Sequence, residues 1–243
     1  MALNKSISNP IMFIGGCHVT GYPFEGMNGS FSEIACNLMG VPLSSNNMMS
    51  LVTLTSISTV MKELENKSLD TLVLQLGNFE TSRGFSVSPL SRRKAPTPKE
   101  RSEVKLPSST PEIQSFKAYR PSLIWDITNL LRLQLSIFLG DSYFSEEVFY
   151  TKLYNFCEAI SLLKIPQVIL LSPLPCADRV FQRNRKIVSK FYPAIAAKFG
   201  FTYVDAITPL MLESSKYDIY ADAFHLSLKG HKILGNLVAN SIR

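Results

Sequence analysis

The chain alternates short apolar runs, typical of buried strands, with longer stretches whose apolar residues recur every three or four positions, typical of helices. The apolar runs predict five strands, over residues 11–14, 48–54, 71–76, 167–171 and 201–204. The periodic stretches predict helices over residues 30–39, 56–66, 123–139, 145–163 and 178–199, and a last helix from about Ser227. Strands separated by helices indicate the α/β class, with a five-stranded parallel sheet in a three-layer α/β/α sandwich.

The alternation breaks between residues 81 and 120, where Ser, Pro and basic residues dominate. This segment is too long for an ordinary connection within a compact domain. We therefore expect a single domain over residues 1–243 with a flexible basic insertion at about 81–120. The insertion is interpreted either as a surface loop without a role or as a lid or docking arm at the mouth of a site.

The net charge of +6 comes entirely from this insertion. Residues 81–120 hold nine Lys and Arg against three Asp and Glu, whereas the rest of the chain holds 16 residues of each sign. Because nucleic-acid binding requires a basic face on the fold itself, the neutral remainder argues against a nucleic-acid partner.

The composition indicates a domain with a substantial core, and we expect it to be cytoplasmic. Apolar residues make up 46% of the chain, and no apolar run has the length of a membrane span. The N-terminal residues are too polar for a signal peptide. The four cysteines lack metal-finger or CxxC spacing, so we expect free thiols, with Cys36, Cys157 and Cys176 in the core.

Candidate catalytic residues lie near the two ends of the chain. Asp222 precedes His225 by three positions, a spacing at which a carboxylate can orient a general base. Cys17 directly follows the first predicted strand, in Gly15-Gly16-Cys17-His18. Since functional groups gather at the carboxyl ends of parallel strands, we predict a shared site in which Cys17 is the nucleophile.

These motifs resemble those of the SGNH, or GDSL-type, hydrolase superfamily of esterases and lipases, over nearly the whole chain apart from residues 81–120. Asp222-Ala-Phe-His225 matches the family's Asp-x-x-His block, and Gly15-Gly16-Cys17 stands where the family has Gly-Asp-Ser. The resemblance implies a flavodoxin-like fold and a Cys17–His225–Asp222 triad, with Cys in place of the nucleophilic Ser.

The resemblance also implies an oxyanion hole. It would combine the backbone N–H groups of Cys17 and Thr53 with the side chain of Asn78. Thr53 stands about where the second family block has Gly, and Gly77-Asn78 keeps the Gly and Asn of the third block with Asn one place early. Gly16 and Gly77 complete the predicted oxyanion and substrate-binding residues.

By the same resemblance, the expected activity is hydrolysis or transfer of an O-acyl group, with acetyl on a carbohydrate-like substrate as in polysaccharide modification. No cofactor is required, and acyl-CoA is a candidate co-substrate because exchange between thioesters is nearly isoenergetic. His18 and His231 fit no metal-ligand pattern, and His231 is expected to pack or hydrogen-bond near the start of the last helix. The alternative is a catalytically inactive module of the same fold that binds a glycan or protein. The pattern specifies no oligomeric state.

Overall fold

The computed structural model describes residues 10–24, 29–51, 54–82, 119–139, 145–212 and 217–242. The strands are β1 (Ile11–Gly15), β2 (Leu43–Met48), β3 (Thr71–Gln75), β4 (Gln167–Leu171) and β5 (Thr202–Val204). The helices are α1 (Phe31–Met39), α2 (Leu54–Glu65), α3 (Leu123–Leu139), α4 (Glu146–Ser161), α5 (Arg179–Ser189), α6 (Tyr192–Phe199), α7 (Ile207–Leu212) and α8 (Leu228–Ala239). A short 3-10 helix covers Glu80–Ser82.

The five strands form one parallel sheet in the order β2-β1-β3-β4-β5, so the predicted fold class is confirmed. The chain moves from β1 outward to β2 and then back across β1 to β3. The direction of winding therefore reverses between β1 and β3, and a crevice opens there at the carboxyl ends of the strands. All residues of β1 and β3 are buried, as expected for central strands covered by helices on both faces.

The two faces of the sheet carry separate apolar clusters. Leu72 and Leu74 point to one face, where α4 and α6 contribute Leu153 and Ile195. Val73 points to the opposite face, where residues of α1 and α8 cover the sheet. The sheet thus forms the middle layer of a three-layer sandwich, and α8 packs against α1 on this second face.

The second strand lies earlier than predicted. The apolar run predicted a strand over residues 48–54, whereas β2 covers Leu43–Met48 and is polar in its middle. β2 is an edge strand that pairs only with β1 and stays partly exposed, so polar side chains are tolerated there. The apolar residues Met49 and Leu51 are buried in the connection that follows β2.

The helix predicted over residues 178–199 is two helices. α5 ends at Ser189 and α6 begins at Tyr192, with Pro193 in its first turn. Proline lacks the N–H that an uninterrupted helix needs and is favoured at a helix start, which explains the break. Helix α7 was not predicted, because six residues are too few to show a periodic pattern.

Residues 83–118, most of the predicted insertion, lie outside the described residues, so the single-domain prediction with its flexible insertion stays a prediction. Within the described ranges, no helix combines the length and the apolar character needed to cross a bilayer.

Candidate active site

The turn after β1 presents Cys17 at the crevice. Gly15 lies so close to β3 that a Cβ atom there would collide with the carbonyl oxygen of Gln75. The Cys17 carbonyl accepts hydrogen bonds from the Tyr22 N–H at 3.2 Å and the Thr20 hydroxyl at 2.9 Å. These bonds close the turn and leave the Cys17 side chain partly exposed.

The other three cysteines are core residues, as predicted. Cys36, Cys157 and Cys176 are buried. Burial raises the pKa of Cys36 and of Cys176 to about 11 and that of Cys157 to about 12. Because a thiol must ionise to become a strong nucleophile, only Cys17 is placed for nucleophilic chemistry.

The loop before α8 forms the predicted Asp–His pair. Nδ1 of His225 lies 2.7 Å from Oδ2 and 2.9 Å from Oδ1 of Asp222. Oδ1 also accepts hydrogen bonds from the backbone N–H groups of Phe224 at 2.7 Å and of His225 at 2.9 Å. The loop therefore fixes the carboxylate, and the carboxylate fixes the imidazole with Nδ1 protonated and Nε2 left for chemistry.

The Cys17 sulfur lies 3.8 Å from Nδ1 of His18 and close enough to His225 to raise the pKa of that imidazole, so the structure brings all three predicted catalytic residues together. Burial lowers the pKa of His225, but its interactions with Asp222 and Cys17 outweigh burial and raise the pKa to about 9. For Asp222, burial acts in the opposite direction and raises the pKa. The hydrogen bonds that the carboxylate accepts from His225 and from the Phe224 N–H outweigh burial and hold that pKa below its usual range. His225 is therefore charged at neutral pH.

This raised pKa predicts a pH-dependent contribution of His225 to stability. The folded pKa of about 9 exceeds the unfolded value of about 6.5, so the stabilisation is complete below pH 6.5 and is lost as the pH rises through 9. We expect the wild-type free energy of unfolding to fall by about 2–3 kcal/mol more than that of His225→Gln between pH 6 and pH 10. Urea denaturation across this range measures it, and parallel pH profiles would contradict it.

Two further histidines complete a cluster with His225. The ring centroid of His18 lies 5.4 Å from that of His225 and 6.0 Å from that of His231. Burial, followed by the charges of His231, His225 and Arg185, lowers the pKa of His18 well below its usual value. Burial also lowers the pKa of His231 to about 4. Both rings are thus neutral at neutral pH and differ in this respect from His225.

His231 joins α8 to α1. Its Nδ1 accepts a hydrogen bond from the backbone N–H of Phe31 at 3.2 Å, and its ring stacks on the Phe31 ring. The prediction that His231 packs near the start of the last helix is confirmed. Among the described residues, no group of three or more His, Cys, Asp or Glu side chains is arranged to hold a metal ion.

Asn78 follows β3 and lies across the crevice from the turn of Cys17. Its Oδ1 accepts a hydrogen bond from the Leu174 N–H at 2.7 Å, and its Nδ2 lies 3.4 Å from Nδ1 of His18. The side chain is therefore held from both sides. Nδ2 carries two hydrogens, and the neutral His18 ring accepts one of them.

The backbone N–H groups of Gly16 and Gly77 already have partners. The Gly16 N–H donates to the carbonyl oxygen of Gln75 at 3.3 Å, and the Gly77 N–H donates to Oε2 of Glu80 at 2.9 Å. Gly77 adopts a φ of 94°, a conformation that favours glycine. These glycines shape the two turns of the crevice. Thr53 lies outside the described residues, so its part in an oxyanion hole stays a prediction.

Glu80, a residue with no predicted role, joins two loops of the site. It is buried, and its Oε1 accepts a hydrogen bond from the Leu51 N–H at 2.7 Å while its Oε2 holds Gly77. The loop after β2 is thereby tied to the loop after β3. The sequence gives only an indirect signal for this role. Glu80 stands at the end of the Gly77-Asn78 block, but the sequence does not show which groups it contacts.

Arg185, a second residue without a predicted role, is a buried cation beside Asn78. It is 2% exposed and donates hydrogen bonds to the Leu174 carbonyl and to the Ser82 hydroxyl, each at 2.9 Å. No carboxylate pairs with it in the part of the chain that the structure describes. Its place four residues after Phe181, within the apolar stripe of α5, is the sequence signal that could have identified it.

Three aromatic side chains surround the mouth of the crevice. Tyr22, Phe79 and Phe224 are between 37% and 48% exposed. The Tyr22 ring contacts the His225 ring edge-on with centroids 4.6 Å apart, and Phe79 is the next residue after Asn78. The entrance is therefore partly apolar, although the groups inside it are polar.

Solved structures resemble this chain over nearly its whole length. A member of the lipolytic G-D-S-L family from Veillonella parvula has a TM-score of 0.59 and 12% identity, with 95% of this chain and 96% of that chain covered. A carbohydrate acetylesterase from Sinorhizobium meliloti has a TM-score of 0.59 and 12% identity, with 96% and 97% covered. A variant of an acetyl-xylooligosaccharide esterase from Geobacillus has a TM-score of 0.58 and 14% identity, with 97% and 94% covered.

No protein-family model and no curated protein sequence matches the chain. The resemblance to these solved structures confirms the fold expected from the sequence, that of the SGNH hydrolases.

Proposed function

From the SGNH-hydrolase fold of this chain, we propose that it cleaves or transfers an O-acyl group through Cys17, His225 and Asp222. One observation carries the proposal: the Asp222 carboxylate holds the His225 ring by hydrogen bonds, and the Cys17 sulfur lies beside that ring and raises its pKa. Such a nucleophile, base and orienting group is the arrangement that acyl transfer requires. The fold alone would not justify it, since one fold supports many functions.

In the first half-reaction, the Cys17 sulfur attacks the acyl carbon as a thiolate paired with protonated His225. The S–C bond forms, and the carbonyl oxygen takes the electron pair and becomes an oxyanion. When the oxyanion collapses, the C–O bond to the alcohol breaks, and His225 gives its proton to the departing oxygen. The product is a thioester on Cys17, and Asp222 keeps the imidazole oriented throughout.

The oxyanion needs preorganised donors within reach of the developing charge. Among the described residues, none accepts a hydrogen bond from the Cys17 N–H, which makes that group available. The second hydrogen on Nδ2 of Asn78 is another donor, since Leu174 and His18 hold the amide in place. We assign the third donor to the backbone N–H of Thr53, as the sequence predicts.

In the second half-reaction, neutral His225 takes a proton from water or from an acceptor hydroxyl. The new C–O bond forms, the S–C bond breaks, and the Cys17 sulfur leaves as a thiolate. With water the outcome is hydrolysis, and with a sugar hydroxyl it is transfer. No cofactor enters either step, and an acyl-CoA thioester could supply the acyl group by exchange with Cys17.

The proposed substrate is an acetyl ester on a carbohydrate. Two of the similar structures are named for acetylated carbohydrates, a carbohydrate acetylesterase and an acetyl-xylooligosaccharide esterase. The aromatic side chains of Tyr22, Phe79 and Phe224 at the mouth offer flat apolar surfaces to the C–H faces of sugar rings. We place the reaction in the cytoplasm, where Cys17 stays reduced.

The test is to incubate the protein with p-nitrophenyl acetate and, separately, with acetyl-CoA, and to analyse it by intact and peptide mass spectrometry. We expect an acetyl adduct on Cys17 that is absent in Cys17→Ala and discharges into water or an added sugar. Cys176→Ala is the matched control, because that thiol is buried and has a raised pKa. If the wild type shows no adduct and no turnover, the result would favour the inactive binding module instead.

A further inference from the structure

Helix α3 exposes most of its large apolar residues to solvent, whereas its charged residues contact the rest of the protein. The residues that face the protein include Asp126, Asn129, Arg132 and Ser136. Surface helices normally show the reverse arrangement, because burying the apolar stripe is what stabilises them. α3 is therefore docked mainly by hydrogen bonds and ion pairs, with Leu133 packed beside Val180 and Phe181, and most of its other apolar residues have no partner among the described residues.

Polar residues of α3 contact the start of α5 and Tyr217. Nη1 of Arg132 lies 2.9 Å from Oδ2 of Asp178, which is the N-cap of α5. Oδ1 of Asn129 accepts a hydrogen bond from the Arg179 N–H at 3.1 Å. Asp126 accepts a hydrogen bond from the Tyr217 hydroxyl at 2.9 Å. These contacts fix the rotation of α3 about its axis, so the exposure of its apolar residues is a consequence of specific pairing.

We call the outward surface of α3 the apolar face. Its large side chains are between 42% and 82% exposed. They are Leu123, Ile124, Ile127, Leu130, Leu131, Leu135, Ile137 and Phe138. The only charged residues of α3, Asp126 and Arg132, lie on the opposite side.

The apolar face is larger than a monomer usually tolerates. Eight large side chains exposed to this degree present an area on the order of 800 Å², whereas the largest apolar patch of a typical monomer is about 300–600 Å². About 800 Å² is also what each partner contributes to a standard stable interface. A charge-free surface of this size has the composition of the core of a permanent interface.

We propose that the apolar face is the interface between two copies of this chain, related by a two-fold axis that packs α3 against α3 of the second copy. An apolar surface is complementary to itself, so a two-fold axis brings the same residues of both copies together without matching of charges. A lipid surface fits less well. Interfacial membrane helices carry Lys and Arg beside their apolar stripe, whereas the one cation of α3, Arg132, is paired with Asp178.

The experiment is sedimentation equilibrium of the full chain and of Leu131→Glu, over roughly a hundredfold range of concentration. For the wild type we expect twice the chain mass of 27.1 kDa. For Leu131→Glu we expect the single-chain mass, because two buried carboxylates would face each other near the two-fold axis. Leu131 is 57% exposed in the single chain, so the far-UV circular dichroism and thermal unfolding of the isolated variant should remain those of a folded protein.

Leu162→Glu is the matched control, because Leu162 is also a highly exposed leucine but lies at the end of α4. We expect it to keep the wild-type mass. A wild type that sediments as a single chain over the whole range overturns the proposal. So does a Leu131→Glu variant that keeps the doubled mass. A single-chain wild type that also binds vesicles containing phosphatidylserine, with Leu131→Glu failing to bind, would assign the apolar face to a lipid surface instead.

Discussion

The Cys17→Ala variant is expected to lose ester hydrolysis, with kcat/KM for p-nitrophenyl acetate falling by about 10³-fold or more. Without the sulfur no thioester forms, and only the oxyanion donors and the charged His225 remain. The buried thiols cannot substitute, because burial raises the pKa of Cys157 to about 12 and that of Cys36 to about 11. Initial rates at saturating and low ester concentration measure the effect.

The rest of the triad provides the internal controls for this result. Because Cys17 and His225 act as one unit, His225→Asn should lose about as much activity as Cys17→Ala, and the double variant no more than either. Asp222→Asn should lose less, since the imidazole stays in place but its preferred protonation changes. Cys17→Ser should retain part of the rate, because serine is the nucleophile of the family that the chain resembles. Wild-type rates in Cys17→Ala would refute the proposed nucleophile.

The Arg185→Met variant is expected to lose both stability and rate. The Leu174 carbonyl and the Ser82 hydroxyl would each lose a charge-assisted partner inside the protein, at a combined cost of about 3 kcal/mol. Asn78 would lose the bracing of its loop, and a small displacement of an oxyanion donor lowers kcat by about 10-fold to 100-fold. Urea denaturation and steady-state kinetics of the same preparation measure the two effects.

Lys186→Met is the control for this variant, since Lys186 is the next residue of α5 and lies exposed. Its stability and rate should equal those of the wild type, because surface substitutions have small effects. The positioning role of Arg185 also predicts a fall in kcat with little change in KM. An Arg185→Met protein with wild-type stability and wild-type kcat would show that the guanidinium has no part in holding Asn78.

The sequence identified four of the five strands close to their observed bounds, namely β1, β3, β4 and the edge strand β5. β1, β3 and β4 must be apolar on both sides, so each appears as a continuous apolar run. β2 lies at the sheet edge and is partly exposed, so its polar middle gave no such signal. The start and end of α1 were readable as well, because the Ser30 cap and Gly40 with its φ of 66° act on neighbouring backbone.

The Asp222–His225 pair was predictable because it is local. Asp222 and His225 are three residues apart, and one loop sets their geometry. Cys17 was assigned from its position at the end of the first strand, since parallel strands bring their carboxyl ends to one edge. The bracing around them was not predictable. Asn78 meets His18 across 60 residues of sequence, and Arg185 reaches Ser82 across 103.

The sequence by itself therefore determined the α/β alternation, the Asp222–His225 pair and the position of Cys17, because periodicity and short spacing are properties of neighbouring residues. The tertiary structure decided what each buried polar group pairs with. Only the folded chain shows that Arg185 binds carbonyl and hydroxyl oxygens beside Asn78. Only the folded chain shows that α3 faces outward with its apolar residues. The physical reason is that the sequence pattern shows which face of a helix is apolar and which is polar. Long-range contacts determine which of the two faces is turned toward the protein.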